Sequence, residues 1–185
     1  MYSRSSEPVR FERDCAAVLV PQGEAVTLPA GSVGYITQAL GGSFTVFVEG
    51  NLFRIAGRDA DAIGKEPPAP IEVPEGADDA AIEKLVWQQL RTCFDPEIPI
   101  NVVELGLVYD VTVDPQPGSP GERRVAIEMT LTAPGCGMGE VLVADVRDKI
   151  ELIPTVAEAD VELVFDPPWN RSMMSEAARL ETGML

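Results

Sequence analysis

The sequence predicts an α+β fold in which a three-stranded mixed sheet carries two helices on one face and is preceded by a small all-β domain. Two observations lead to this prediction. The first third of the chain consists of short runs rich in Val, Ile, Thr and Phe that are bounded by glycines, a pattern typical of strands. The remainder alternates between apolar residues at helical spacing and apolar residues at every second position, which predicts helices interleaved with strands.

A proline-rich segment separates the two regions. The stretch KEPPAPIEVPEG, residues 65–76, holds four prolines and favours extended chain over a packed core. We therefore predict a β-rich domain over residues 1–65, a linker over 66–77 and an α+β domain with a C-terminal tail over 78–185. Residues 1–65 carry six basic and seven acidic side chains, whereas residues 66–185 carry eight and 23. The acidity therefore belongs to the second domain.

Four strands are predicted in the first region, and two hairpin turns join pairs of them. The predicted strands are Ala17–Val20, Val33–Leu40, Ser43–Glu49 and Leu52–Ile55. The dipeptides Gly41-Gly42 and Gly50-Asn51 lie where two-residue hairpin turns need positive φ. A small meander or barrel is therefore expected. Cys15 begins an apolar run, so we interpret it as a small core residue.

In the second region the pattern predicts the order helix, strand, strand, helix, strand. Apolar positions at helical spacing mark the helices: Ile82, Leu85, Val86, Leu90 and Cys93 after the N-cap candidate Asp78, then Met138, Leu142, Val146 and Ile150 before Pro154. Alternating positions mark the strands: Leu107, Tyr109, Val111 and Val113; Val125, Ile127, Met129 and Leu131; Ala159, Val161, Leu163 and Phe165. The second helix is the crossover between strands two and three, so both helices are expected on the apolar face. Glu158, Asp160 and Glu162 make the other face acidic.

Composition excludes several classes of function. The chain contains no histidine, which removes Ser-His-Asp and Cys-His catalysis and every imidazole metal site. A net charge of -16 opposes binding to nucleic acid and to anionic membranes, and no apolar run approaches the ~18 to 20 residues of a membrane span. The three cysteines are far apart and form no CxxC motif, which favours reduced thiols. We therefore expect a cytoplasmic protein.

Cys136 is the candidate reactive residue. It lies between two glycines, where a strand is predicted to end and a helix to begin. Backbone amides and the helix dipole at such a position favour the thiolate, and the glycines leave room for a bulky group such as a metal cluster or another chain. The alternative, that Cys136 only fills a gap in a tight turn, stays open.

Two carboxylates, Asp95 and Glu97, follow the first predicted helix. The alternative interpretation is turn chemistry, in which Asp95 hydrogen-bonds its own backbone. In the predicted layout, however, their loop and the Cys136 loop can lie at the same end of the sheet. One thiolate and one or two carboxylates make only a partial metal site, because they cannot saturate tetrahedral iron or zinc. Further ligands would come from a second subunit in a homodimer, a small thiol or a client protein.

Three motifs of the second region carry a resemblance to a known family. They are Asp95-Pro96-Glu97-Ile98-Pro99, Glu104-Leu105-Gly106-Leu107-Val108 and Leu131-Thr132-Ala133-Pro134-Gly135-Cys136. With these motifs, residues 78–185 resemble the iron-sulfur cluster assembly domain shared by SufT-type and PaaD-like proteins. Pro167-Pro168-Trp169 is similar to the SufT-type pattern. Residues 36–46 and 59–64 resemble the N-terminal region that distinguishes SufT-type proteins from shorter members.

The resemblance implies a factor that helps to mature iron-sulfur proteins. Cys136 would be the functional thiol, and Asp95 and Glu97 would be its acidic neighbours. The supporting loop would consist of Thr132, Pro134, Gly135 and Gly137, and Trp169 would contact a partner. Near the C-terminus the sequence departs from the family pattern, since Glu181 and Thr182 stand where a more apolar residue is expected.

The leading hypothesis is an accessory protein, not an enzyme, that carries or positions iron or a labile cluster for delivery to apo-proteins through Cys136. Its cofactor would be transient iron or an iron-sulfur cluster, and its partners would be the assembly machinery and apo iron-sulfur proteins. The alternative is a metal-free adaptor that recruits assembly components or client proteins through the acidic sheet face or the first domain. A thiol enzyme with Asp95 or Glu97 as base is the weakest hypothesis, because a carboxylate is too weak a base for an ordinary thiol.

Overall fold

The computed structural model describes residues 6–95, 98–133 and 137–183. Contacts divide the chain into two compact units, Met1–Ala69 and Pro70–Leu185. The boundary falls inside the stretch 66–77 that the sequence predicts to be a linker. The predicted domain limits at residues 65 and 78 stay predictions.

The stretch 66–77 forms neither helix nor strand, yet it packs on the units that it joins. Pro68 lies against the first unit, where a Cβ added to Gly57 would be 3.0 Å from the Pro68 ring. Ile71 and Val73 pack against the apolar core of the second unit. Each end of this stretch is therefore anchored on its own unit.

The first unit is a six-stranded antiparallel sheet. Its strands are β1 (Glu7–Arg10), β2 (Cys15–Val20), β3 (Ala25–Leu28), β4 (Val33–Leu40), β5 (Ser43–Val48) and β6 (Asn51–Ile55). They are ordered β1-β4-β5-β6-β2-β3 across the sheet. A 3-10 helix, Gly57–Ile63, follows β6 and contributes Ala62 and Ile63 to the core that also holds Val46 and Ile55. The sheet therefore has one buried face.

The first predicted hairpin turn is confirmed and the second is shifted. Gly41-Gly42 has positive φ at both residues, 65° and 82°. Val48 pairs with Asn51, so the second turn consists of Glu49 and Gly50, with φ of 46° and 88°. It lies one residue earlier than predicted because Asn51 already belongs to β6.

Ion pairs fix the 3-10 helix beside the first strands. The Arg13 guanidinium donates to the Asp61 carboxylate at 2.6 and 2.9 Å and to Asp59 at 3.0 Å. Hydrogen bonding to Asp61 raises the pKa of Arg13, and the same contact lowers the pKa of the Asp61 carboxyl. The helix is thereby tied to the segment between β1 and β2.

The second unit has the predicted order of elements. They are α1 (Asp79–Leu90), β7 (Val108–Pro115), β8 (Arg123–Met129), α2 (Gly139–Glu151), β9 (Val156–Leu163) and, after a short 3-10 turn, α3 (Glu176–Thr182). β7 and β8 are antiparallel and β8 and β9 are parallel, so the sheet is mixed. The predicted fold class is confirmed. Among the described residues, no helix has both the length and the apolar character needed to cross a bilayer.

Both long helices pack on the apolar face of this sheet. Asp78 is the predicted N-cap of α1, and its carboxylate accepts a hydrogen bond from the Ala81 N–H at 2.9 Å. Val86 of α1 and Val146 of α2 lie in the same buried core as Ile127 of β8. The helical spacing in the sequence therefore marks the buried stripes correctly.

The other face of the three-stranded sheet is acidic, as predicted. Its exposed carboxylates are those of Asp110, Asp114, Glu128, Glu158, Asp160 and Glu162. Arg124 lies among them, with its guanidinium 3.1 Å from Asp160 and 4.0 Å from Glu158. The prediction that Phe165 is the last buried position of the third strand is wrong, because β9 ends at Leu163 and Phe165 is 45% exposed.

Candidate functional site

Three backbone hydrogen bonds join the loop that follows α1 to the end of β8. The Val102 N–H donates to the Cys93 carbonyl at 2.9 Å, and the Leu107 N–H donates to the Val102 carbonyl at 3.0 Å. The Thr130 N–H then donates to the Leu107 carbonyl at 2.8 Å. We call these bonds the backbone ladder. It connects the end of α1 to the end of the sheet at which β7 starts and β8 stops.

The backbone ladder brings together the described flanks of two predicted site segments. Asp95 lies two residues after Cys93, where the ladder begins. Thr132 lies two residues after Thr130, where the ladder ends, and its side chain is half-buried. The ladder therefore links the start of the Asp95 turn, through three successive hydrogen bonds, to the strand end that leads to the predicted cysteine loop.

Four predicted site residues lie outside the described residues: Glu97, Pro134, Gly135 and Cys136. Their convergence with Asp95 stays a prediction, as do the supporting roles of Thr132 and the exposed Gly137. In the described ranges, which leave out 96–97 and 134–136, no group of three or more Cys, Asp and Glu side chains is placed to hold a metal ion.

The Asp95 carboxylate closes the turn that follows α1. Its Oδ1 accepts a hydrogen bond from the Ile98 N–H at 3.1 Å. The Asp95 N–H donates to the Ile100 carbonyl at 3.3 Å. This is the turn chemistry that the sequence offers as the alternative interpretation. A carboxylate has two oxygens and about four acceptor sites, so a structural contact of this kind is chemically compatible with metal ligation.

Gly139 sets how closely α2 approaches the ends of its neighbouring strands. A Cβ added at this position would lie 2.8 Å from Leu131 Cδ1 and 3.3 Å from Leu163 Cδ1. A side chain at this position would displace the ends of these leucine side chains, so glycine lets the first turn of α2 lie directly against them. The positive end of the α2 dipole is thereby held near the end of β8, where the backbone ladder ends. The sequence analysis missed this residue, whose one signal is its place in the glycine-rich run after Cys136.

Lys149, which belongs to a buried ion pair within α2, ties the two long helices together near the Asp95 turn. Lys149 and Asp145 lie one turn apart on α2, have side chains 8% and 7% exposed, and approach to 3.3 Å. The Lys149 Nζ also donates to the Thr92 carbonyl at 2.5 Å, and the Gln89 side chain donates to the Lys149 carbonyl at 2.8 Å. Thr92 is three residues before Asp95, so Lys149 fixes the backbone just before the Asp95 turn.

The C-terminal segment is strapped onto the loop that precedes β7. The Trp169 indole N–H donates to the Leu105 carbonyl at 2.8 Å, and the Ser175 N–H donates to the Glu104 carbonyl at 2.8 Å. We call residues 166–178 the strap. Trp169 is half-buried and makes a contact within the chain, and its role in contacting a partner stays a prediction.

Two of the three cysteines are core residues, as predicted. Cys15 and Cys93 are both 0% exposed and lie in separate cores. Burial raises the pKa of the Cys15 thiol to about 11. Because the thiolate is the reactive and metal-binding form, burial of the neutral thiol makes Cys15 inert.

Alkylation of the native chain by iodoacetamide near neutral pH is therefore expected to modify Cys136 at least about tenfold faster than Cys15 or Cys93. Peptide mass spectrometry over a time course measures the three rates. Alkylation in concentrated guanidinium chloride is the control, and there the three rates should converge. Equal rates in the native chain would contradict the assignment of Cys136 as the accessible thiol.

Comparisons with known proteins address the second unit. A family model described as "Iron-sulfur cluster assembly protein" matches residues 83–162. A protein of Porphyromonas gingivalis named Fe-S protein maturation auxiliary factor is 46% identical over 103 residues, which are 56% of this chain and 92% of that protein. The Fe-S protein maturation auxiliary factor SufT of Staphylococcus aureus is 39% identical over 90 residues, 49% of this chain and 96% of that protein.

A solved structure agrees with the fold. The crystal structure of a domain of unknown function, DUF59, from Bacillus anthracis is 36% identical, with a TM-score of 0.50 over 58% of this chain and 96% of that chain. These proteins are thus matched over nearly their whole length by about half of this chain. The family match lies entirely within the second unit.

Proposed function

The chain belongs to the iron-sulfur cluster assembly protein family, as a SufT-type member, and from this premise we propose that it is an accessory factor in the maturation of iron-sulfur proteins. It carries or positions iron or a labile cluster, as cargo, for delivery to apo-proteins, and it is not an enzyme. The Cys136 thiolate is the contact with the cargo, and Asp95 and Glu97 are its acidic neighbours.

The backbone ladder is the observation that supports this assignment most directly. It ties the Asp95 turn to the strand end from which the chain runs through Thr132 toward Cys136. Gly139 lets the N-terminal end of α2 lie at the same place, where its dipole favours an anionic sulfur. A thiolate and carboxylates meeting here would be soft and hard ligands for iron.

The small number of ligands favours transfer over storage. One thiolate and two carboxylates leave at least one tetrahedral position to be filled by another molecule. A client protein or a component of the assembly machinery supplies this ligand. It thereby binds the iron or cluster together with this chain before the transfer. The homodimer and the cytoplasmic location stay predictions.

Replacing Cys136 by serine tests this role. In anaerobic preparations reconstituted with iron and sulfide, C136S is expected to retain iron and sulfide only at background, and iron-starved cells that carry it should lose activity of client iron-sulfur enzymes. The control is Cys15→Ala, which removes a buried thiol from the other unit and should leave both measurements unchanged. Full client activity with C136S would exclude the carrier role.

A metal-free adaptor is the second candidate, and the acidic sheet face is the observation that favours it. The six exposed carboxylates of that face have one arginine, Arg124, among them. An adaptor would keep client activity in C136S and lose it when Glu158, Asp160 and Glu162 are replaced by lysine. The carrier predicts the opposite ranking of the two variants, so one cellular assay separates the candidates.

A further inference from the structure

The sheet of the first unit carries an apolar row on its outer face. Tyr35 of β4 is paired with Pro8 of β1 and with Phe47 of β5. Phe47 is paired with Leu52 of β6, and Leu52 with Val20 of β2. Directly paired residues lie on the same face of a sheet. These five side chains, the apolar row, therefore cross five neighbouring strands.

The apolar row is exposed to an extent that isolated surface residues do not explain. Tyr35 is 50% exposed, Phe47 41% and Leu52 37%, and Val33, two residues before Tyr35 on the same face, is 66% exposed. These four are a majority of the large hydrophobic side chains that are exposed among the described residues. Single exposed apolar residues are normal, whereas a contiguous group is typical of an interaction surface.

The outward positions of the six described strands carry no carboxylate. The single acidic residue in the six strands is Glu7. It is paired with the core residue Ile36, on the opposite face, and its carboxylate pairs with Lys65. Residues 1–65 carry seven acidic side chains, and the other six lie outside the strands.

The charged groups at outward positions of these strands are arginines. Arg10 is exposed and lies directly opposite Val33. Arg54 is buried and lies on the same face, two residues after Leu52 on β6. An open groove of about 340 Å³ lies over the paired strands β1 and β4, where Arg10 and Val33 lie beside Pro8 and Tyr35. An apolar groove is thus flanked by an exposed positive charge.

We propose that this face docks an acidic segment of a partner protein that carries an aromatic side chain. The aromatic ring packs in the groove against Tyr35 and Val33, and a neighbouring carboxylate pairs with the Arg10 guanidinium. Charge complementarity selects this class of partner, because the outward strand positions around the groove offer the Arg10 guanidinium and no carboxylate that would repel an acidic segment. Aromatic and arginine side chains are also the residues that dominate binding energy at protein interfaces.

A second copy of the chain suits this face less well. A twofold interface would bring together two copies of the same patch, with two Arg10 side chains and no carboxylate at the strand positions to neutralise them. The four exposed apolar side chains also offer only a few hundred square ångströms, against about 800 Å² per partner in a stable complex. A transient contact with an acidic partner is the consistent solution.

This docking role is additional to the maturation function proposed for the second unit. The face lies in the first unit, outside the residues 83–162 that the family model matches. It uses neither Cys136 nor Asp95. Failure of one proposal therefore leaves the other standing.

Fluorescence anisotropy with the full-length chain tests the docking. The probe is a short fluorescein-labelled peptide in which Asp and Glu residues flank one Phe. R10E is expected to weaken binding at least about fivefold, and Y35T and F47T at least about tenfold each, threonine being chosen because it favours strands. The matched controls are R58E, outside the sheet, and L180T, an exposed apolar residue in the other unit, and both should bind like the wild type.

Several outcomes would overturn the proposal. Equal binding of a peptide with Asn and Gln in place of the acids would remove the role of charge, and absence of saturable binding would remove the site. A wild-type dimer in sedimentation equilibrium that Y35T dissociates would assign the face to a second copy. Circular dichroism checks each variant, and because Arg10 is exposed, R10E gives a folded comparison even where a threonine variant does not.

Discussion

Replacing Lys149 by methionine is expected to lower the free energy of unfolding of the second unit by about 3 kcal/mol. The ammonium group contacts the Asp145 carboxylate and the Thr92 carbonyl in an almost fully buried place. Without it, the carboxylate stays buried without its cation, and the carbonyl at the end of α1 loses its donor. Urea unfolding followed by tryptophan fluorescence measures the loss.

Two variants make this prediction specific to the buried pair. Lys84→Met changes an exposed lysine on α1 and should shift stability by no more than about 0.5 kcal/mol. The double variant Asp145→Leu with Lys149→Met removes both charges and should recover part of the loss. If Lys149→Met alone is as stable as the Lys84→Met control, the buried contacts of Lys149 do not stabilise the second unit.

Replacing Gly106 by alanine is expected to destabilise the second unit by about 3 kcal/mol, through two separate effects. Gly106 has φ of 74°, which costs a side chain about 1 to 2 kcal/mol. An added Cβ would also meet the Met173 carbonyl oxygen and lie 2.9 Å from Met173 Cβ. The methyl group therefore has no room while the strap is in place.

Gly118 provides the matched control for the backbone effect alone. It has nearly the same φ, 76°, and nothing within 4 Å of an added Cβ. Gly118→Ala should cost only the conformational part, so the difference between the two variants isolates the contact with the strap. If the strap is released, proteolysis within residues 166–178 should be faster in Gly106→Ala than in Gly118→Ala. Equal stability and equal cleavage of the two would contradict the contact.

The parts of the fold that the sequence predicts correctly are those with strong periodicity. β8, α1 and α2 carry apolar residues at strict spacing, and the observed elements begin or end within about two residues of the predicted ones. β1 and β3 were missed because they are edge strands of four residues, too short to show alternation. Phe165 was assigned to a strand because alternation continues beyond the last backbone pairing, at Leu163.

The candidate site likewise has features that the sequence predicts and features that only the tertiary contacts show. That the Asp95 turn and the Thr132 end can lie at the same end of the sheet was expected from the order of helices and strands, and it stays a prediction. The roles of Gly106, Gly139 and Lys149 depend on which residues meet in space, and the local sequence does not specify these contacts. A lysine four residues after an aspartate ordinarily forms a solvated pair on a helix surface, so the burial of Lys149 is a property of the tertiary packing.

Burial of Cys15 and Cys93 in separate cores has a consequence for handling the protein in air. Neither sulfur is exposed while the cores are intact, so neither can meet the other or a sulfur of a second chain to form a disulfide. Covalent dimers that form in an aerated solution of folded chain must therefore be linked through Cys136. A non-reducing gel then serves as a direct gauge of oxidant damage at that single sulfur.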